Sequence, residues 1–325
     1  MNEDGVRVTR IDWARAIPSL RLCEGVSYAI SVRALVPAML FLWSANTPLF
    51  RRLMESNFSL DLVHRKSSIT EAAPQMSSLI QTMILNLQLI AIGDSLQALN
   101  PLISLATWML MFGFCAIPVM RFAGTRFCSG TGEGLLRGIT VSFHRWKAIL
   151  ISSILCWILL GLLCLAFRAS RWIGDEISAG LTALTALIYI VGVFALAIGW
   201  VLSLAAIAID RCDGSEALSR GISYVLSRWQ RVVIYAVAVY ALITLCQSLF
   251  WWLVKTTMLL FPLMSESVNA NTFSVVDEVF RLSLLLCTAA IAYVLLRHVE
   301  DGVSLREIDG GKSLQRPQDA TSVTR

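Results

Sequence analysis

Stretches without a single charged side chain alternate along this chain with short amphipathic segments. The longest, Ile177 to Ile209, runs for 33 residues, and Ala148 to Phe167 runs for 20. An α-helix needs about 20 apolar residues to cross a hydrocarbon core of about 30 Å. The uncharged gaps therefore predict six membrane-spanning helices, at about residues 34–50, 101–120, 148–167, 181–209, 232–254 and 279–296. The first is interrupted by Pro37, Asn46 and Pro48, and the last carries Arg281, which can snorkel to the interface. A seventh apolar stretch, Met76 to Ile92, is broken by Ser77, Ser78, Gln81, Thr82, Asn86 and Gln88. Leu79, Ile80, Met83, Ile84 and Leu87 form a helical stripe there, which predicts a helix lying on the membrane surface.

The amphipathic segments repeat one another. Glu216-Ala-Leu-Ser-Arg220-Gly221-Ile222-Ser-Tyr-Val-Leu-Ser-Arg228-Trp229 aligns, at a shift of 83, with Glu133-Gly-Leu-Leu-Arg137-Gly138-Ile139-Thr-Val-Ser-Phe-His-Arg145-Trp146. At a shift of 196, Gly221-Ile-Ser-Tyr-Val-Leu-Ser227 meets Gly25-Val-Ser-Tyr-Ala-Ile-Ser31, where Arg33 stands in place of the Trp. Each copy precedes an odd-numbered span. In the third copy Leu218, Ile222, Val225, Leu226 and Trp229 fall on one face of a 3.6-residue helix, and Glu216, Ser219, Arg220, Ser223 and Ser227 on the other. Leu135, Ile139, Phe143 and Trp146 form the equivalent face of the second copy, and Leu22, Val26, Ala29 and Ile30 that of the first. Glu133 with Arg137, and Glu216 with Arg220, stand four apart in the favourable order for a helical ion pair. Trp146 and Trp229, each followed by a span, are expected to anchor at the membrane interface.

The predicted fold is thus all-α: a polytopic membrane helical bundle of about six transmembrane helices, with three cytoplasmic interfacial amphipathic helices as an internal repeat. Residues 17–300 would form one membrane domain, flanked by a cytoplasmic segment at 1–16 and a disordered cytoplasmic tail at 301–325.

Composition strengthens this class. The 325 residues are 56% hydrophobic and 15% charged, whereas soluble domains carry about 25% charged residues. The 27 basic residues decide orientation. With the N-terminus inside, 19 fall on the cytoplasmic side and 8 outside, which obeys the positive-inside rule and places both termini in the cytoplasm. A net charge of +5 belongs to these membrane-flanking positions, so no nucleic-acid partner is implied. The N-terminal residues lack the apolar core of a signal peptide. Five of the eight cysteines lie in spans and three in cytoplasmic segments, so reduced thiols are expected. Cys23, Cys128 and Cys212 lack the close pairing of a structural zinc site, and no metal or cofactor is implied.

Motifs for chemistry are weak. Gly25-Val-Ser27-Tyr-Ala29 and Gly221-Ile-Ser223-Tyr-Val225 fall one glycine short of a nucleophile elbow and have no strand before them. Gly130-Thr-Gly-Glu-Gly134 breaks the dinucleotide pattern at Leu135, and Gly311-Lys312-Ser313 lacks the first glycine of a phosphate loop. Gly130, Gly134 and Gly138 recur every four residues and are expected to admit a close helix neighbour, as are Ala217 and Gly221. Asp175-Glu176 and Asp277-Glu278 read as solvated charge in outer loops. Ionisable residues deep in spans look nearly absent.

The segment from Ala206 to Trp229, together with Tyr293-Val-Leu-Leu-Arg-His-Val-Glu-Asp-Gly302, resembles an uncharacterised family of multi-pass inner-membrane proteins of planctomycete-type bacteria. Weaker kin of that family include the membrane domains of some glycerophosphodiester phosphodiesterases. The resemblance implies fold and location, and no activity. The resulting expectation is a non-enzymatic membrane scaffold that contacts lipid headgroups or a protein partner through Gly25, Arg137, Gly138, Trp146, Arg220, Gly221 and Trp229. The alternative is a transporter or permease for a neutral or lipid-like substrate, since transporter sites form where repeats meet.

Overall fold

The computed structural model describes residues 18–45, 95–130, 132–172, 178–260 and 270–302. A 3-10 helix, Pro18–Cys23, leads into α1 (Glu24–Ala29) and α2 (Val32–Ala45). Then follow α3 (Ser95–Ser129), α4 (Leu135–His144), α5 (Trp146–Trp172), α6 (Ser178–Asp210), α7 (Gly214–Ser227), α8 (Trp229–Leu260) and α9 (Ala270–Glu300). No strand occurs among the described residues. The segments at 1–16 and 303–325, and the surface helix expected at 76–92, lie outside the described residues.

Among the described residues five helices are long and apolar enough to cross a membrane: Leu105–Ser129, Trp146–Ala169, Ala183–Asp210, Trp229–Thr257 and Val275–Glu300. The count reaches six if Leu20–Ala29 and Val32–Ser44, bent by 74° at their junction, act as one broken span. The fold is therefore an all-α polytopic membrane bundle. Where 34–50 was expected as the first span, α2 ends at Ala45, and residues 46–50 are not described.

The second span differs more instructively. Its expected end at Met120 was set by Arg121, yet α3 continues unbroken to Ser129. Arg121 is 3% exposed and held by partners, so its charge does not stop the helix. Charge gaps thus mark where unpaired charge is excluded, and a paired arginine passes through the rule.

α9 is the most enclosed of the spans and α8 the least. Phe41 of α2 meets Trp108 and Phe112 of α3 edge-on, and Phe112 lies against Trp200 of α6, with centroids 5.0–5.7 Å apart across the cluster. Elsewhere the helices approach through small residues. A Cβ placed on Gly113 would stand 2.6 Å from Ile149 Cγ2 of α5. Most interior hydroxyls are bonded, several of them between helices: Ser152 and Ser203 bond each other at 2.9 Å, and Ser283 donates to the Ala29 carbonyl. Thr288 donates to Leu284.

Candidate functional site

The chemistry-bearing residues gather at one end of the bundle, where α4 and α7 join the spans. Each short helix is set off from the long helix that follows by a sharp break. One residue, Arg145, separates α4 from α5; Arg228 separates α7 from α8; Ile30 and Ser31 separate α1 from α2. Trp146 and Trp229 therefore open the long helices, where the sequence pattern had put them at the close of the short ones. Both are exposed, at 46% and 60%.

The docking faces include Gly138, Ala217 and Gly221, where a close neighbour is expected, and only part of each apolar stripe. In α7 the inward face is Gly214, Ala217, Leu218, Gly221, Tyr224 and Val225, while Leu226 points outward at 67% exposure. Gly138 and Ser142 face inward from α4, and Leu136 and Phe143 are exposed. Gly25, Tyr28 and Ala29 are buried in α1. Small residues let these helices approach the spans closely, and Leu218, Tyr224 and Val225 fill the space beside them.

Contacts at the three glycines make this concrete. A Cβ on Gly221 would fall 2.2 Å from the Gly199 carbonyl oxygen of α6, and one on Gly25 would meet Thr288 Cγ2 of α9 at 2.7 Å. At Gly138 it would meet Pro118 Cα of α3 at 3.1 Å. Gly130 and Gly134, expected to share this role, have nothing within 4 Å of such a Cβ. Gly130 instead adopts φ +77°, the left-handed conformation that ends α3.

Two charge clusters lie beneath these helices. In the first, Asp210 at the end of α6 is reached by Arg297 and by the Tyr293 hydroxyl of α9, the latter at 2.5 Å. Arg220 of α7 stands 3.4 Å away and also pairs with Glu216 at 2.6 Å, as its spacing predicts. Tyr224 donates to Asp301 at 2.9 Å, and Arg228 pairs with Glu300 at 2.6 Å. Burial and the Asp301 carboxylate push the Tyr224 hydroxyl above its ordinary pKa. α6, α7 and α9 are thereby tied together by groups from all three.

In the second, Arg121 forks onto both carboxylate oxygens of Glu133, at 2.6 and 2.8 Å, and donates to the Ala208 carbonyl at 2.8 Å. Arg137 lies 3.8 Å from the same carboxylate. The Arg121 hydrogen bonds hold Glu133 below its ordinary value of 4.5. A depressed carboxyl contributes stability that is complete above its unfolded pKa and is lost as pH falls through the folded one. Thermal unfolding in detergent should thus lose midpoint temperature as pH drops below about 4.5. Glu133→Gln should flatten the part of that slope due to this carboxyl.

A further buried pair lies far from the short helices. Asp277, expected as solvated loop charge, sits within α9 at 3% exposure. Arg281 donates to it at 2.7 Å, and Trp251 of α8 at 3.3 Å. Besides Arg281, which the charge gaps already placed in the last span, the spans contain Arg121, Asp210, Asp277 and Arg297. Each is matched by an opposite charge, as low-dielectric surroundings demand.

Ser223, with Ser219, Ile222, Leu226 and Ser227, lines an open groove of about 620 Å³ on the outer face of α7. Ser27 donates to the Glu24 carbonyl of its own helix. Neither serine has a general base from the described residues bonded to it. Among the described residues no three His, Cys, Asp or Glu side chains gather as metal ligands would, and no disulfide forms.

Five long apolar helices, tied at one end by paired charges and short docked helices, define a multi-pass membrane protein. No family model, curated protein or solved structure matches the chain.

Proposed function

We propose that the chain is a non-enzymatic integral protein of the bacterial inner membrane, a scaffold whose three short helices meet lipid headgroups or a protein partner at the cytoplasmic surface. The single observation that carries this reading is the split between the two faces of these helices. Their small faces are locked into the bundle at Gly25, Gly138 and Gly221, leaving Leu136, Phe143, Trp146, Leu226 and Trp229 outward. Indole and phenyl groups beside Arg137, Arg145, Arg228 and Arg231 have the composition of a membrane-interface belt.

The recurrence of one glycine, buried in each short helix, supports reading the three segments as an internal repeat. The resemblance to bacterial inner-membrane proteins and the 19-to-8 division of basic residues both favour cytoplasmic termini. Against a permease stand the close helix contacts at Gly113, Gly199 and Gly221, and the bonded state of most interior hydroxyls.

Reporter tags on Met1 and Arg325 should both report from the cytoplasm. Opposite sides would overturn the topology. A deletion strain that loses uptake of one neutral or lipid-like solute would move the assignment to a permease.

A further inference from the structure

The two charge clusters occupy equivalent places in the second and third repeat segments, yet they are filled differently. Around Arg220 the arginines are Arg220, Arg228 and Arg297, and the carboxylates are Asp210, Glu216, Glu300 and Asp301. That cluster is closed by its own anions. Around Arg137 the balance reverses. Arg121 and Arg137 share Glu133; Arg145 reaches Asp213 only at 4.0 Å; and Arg33 donates to the main-chain carbonyls of Gly132 and Glu133 at 3.0 and 3.4 Å.

Arg211 joins this group from the turn between α6 and α7. Its φ of +58° is the left-handed conformation, which a non-glycine residue adopts at a cost. It makes no hydrogen bond or ion pair with another described residue. Arg121, Arg137 and Arg145 are near enough to depress its pKa, with Glu133 the carboxylate opposing them. Five guanidinium groups thus converge on two carboxylates, and Asp213 is itself largely exposed.

We propose that Arg137, Arg145 and Arg211 form a binding site for a phosphate-bearing anion, at the junction of α4 with the α6–α7 turn. Guanidinium forks match phosphate oxygens in pairs, and a bound dianion or diester would relieve the crowding of like charge. Arg137 is 69% exposed along its side chain and Arg145 30%, so the group stays accessible while Arg121 below it is buried. Exposed Leu136, Phe143 and Trp146 on the adjoining surface suit the glycerol and upper acyl region of a phospholipid. The inference rests on the reading of α4 as an interfacial helix, and it names what that helix holds.

The test uses the full chain purified in a neutral detergent, with no bilayer, so that its failure leaves the topology untouched. Thermal unfolding is followed while phosphatidylglycerol, phosphatidylcholine or inorganic phosphate is added. Phosphatidylglycerol should raise the midpoint and phosphatidylcholine should raise it less. The double variant Arg137→Gln/Arg211→Gln should bind phosphatidylglycerol about tenfold more weakly, the loss expected for charge-assisted hydrogen bonds. Arg168→Gln/Lys255→Gln removes two charges near the far ends of α5 and α8 and should leave binding unchanged.

Stabilisation by inorganic phosphate to the same extent, lost in the same double variant, would support the site with a soluble phosphate as its occupant. Equal weakening by both double variants would reduce the effect to net charge and overturn the proposal. So would the absence of any phosphate or phosphatidylglycerol effect on the unaltered chain.

Discussion

Asp210→Ala should destabilise the protein by about 3–5 kcal/mol, because it takes from the partly buried Arg297 its closer counter-ion and leaves only Asp301 at 3.6 Å. The Asp210 side chain is 5% exposed, and that of its partner Arg297 18%. Removing the carboxylate also strips the acceptor from Tyr293, whose ring is fully buried. The effect should appear as a lower unfolding midpoint in detergent. Arg220→Ala should cost far less, within about 1 kcal/mol, since Arg220 is 36% exposed and retains the character of a surface pair. The double variant Asp210→Leu/Arg297→Leu separates charge from packing. If the loss stems from an under-compensated cation, the double variant should recover much of it. A double variant as unstable as the sum of its singles would assign the site to shape alone.

Gly221→Val should be comparably damaging for a different reason. The added Cβ would fall 2.2 Å from the Gly199 carbonyl and 3.1 Å from the Ser203 nitrogen, both main-chain atoms of α6. Backbone cannot rotate aside as a side-chain tip can, so α7 must lift from α6. Overpacking of this kind costs about 1–3 kcal/mol, and more where the neighbour is rigid. Lifting α7 also draws Arg220 and Tyr224 away from Asp210 and Asp301. Gly161→Ala is the matched comparison. Nothing lies within 4 Å of its Cβ position in α5, so alanine should be neutral or gain up to about 1 kcal/mol of helix stability. Equal losses at Gly221 and Gly161 would remove the close approach as the cause.

The spans were legible because they depend on one signal, the length of uncharged sequence. That signal placed α5 and α6 within a few residues of their ends. It misplaced the end of α3 and missed Asp277 for a shared reason: a charge with a partner behaves unlike a lone one, whether that partner is four residues away, as Arg281 is from Asp277, or on another element. Glu133 answers Arg121 from 12 residues away, but Arg297 answers Asp210 from 87. The repeat spacing gave the Glu133–Arg137 and Glu216–Arg220 pairs directly, because the partners stand only four residues apart, the first across the start of α4 and the second within α7.

The inward faces were legible at Gly138, Ala217 and Gly221; of the apolar stripes, Leu22, Ala29, Leu218 and Val225 turn inward while Ile30, Phe143 and Leu226 do not. Hydrophobic periodicity ranks leucine above glycine, which suits burial from water. Against lipid that ranking carries little force, and small residues set where the helices approach closely. Tyr293, Arg297 and Asp301 recur every four residues along α9, a periodicity that could have suggested one polar stripe aimed at the bundle.

Depth-resolved fluorescence quenching tests the central claim most directly. The protein would be reconstituted in bilayers whose lipids carry bromine either near the headgroup or deep in the acyl chain. The fluorescence contributed by Trp146 and Trp229 is isolated by comparison with the Trp146→Phe/Trp229→Phe variant. If the short helices lie along the membrane surface, that component should be quenched strongly by shallow bromine and weakly by deep bromine. Stronger quenching by deep bromine, or none by either, would contradict the account.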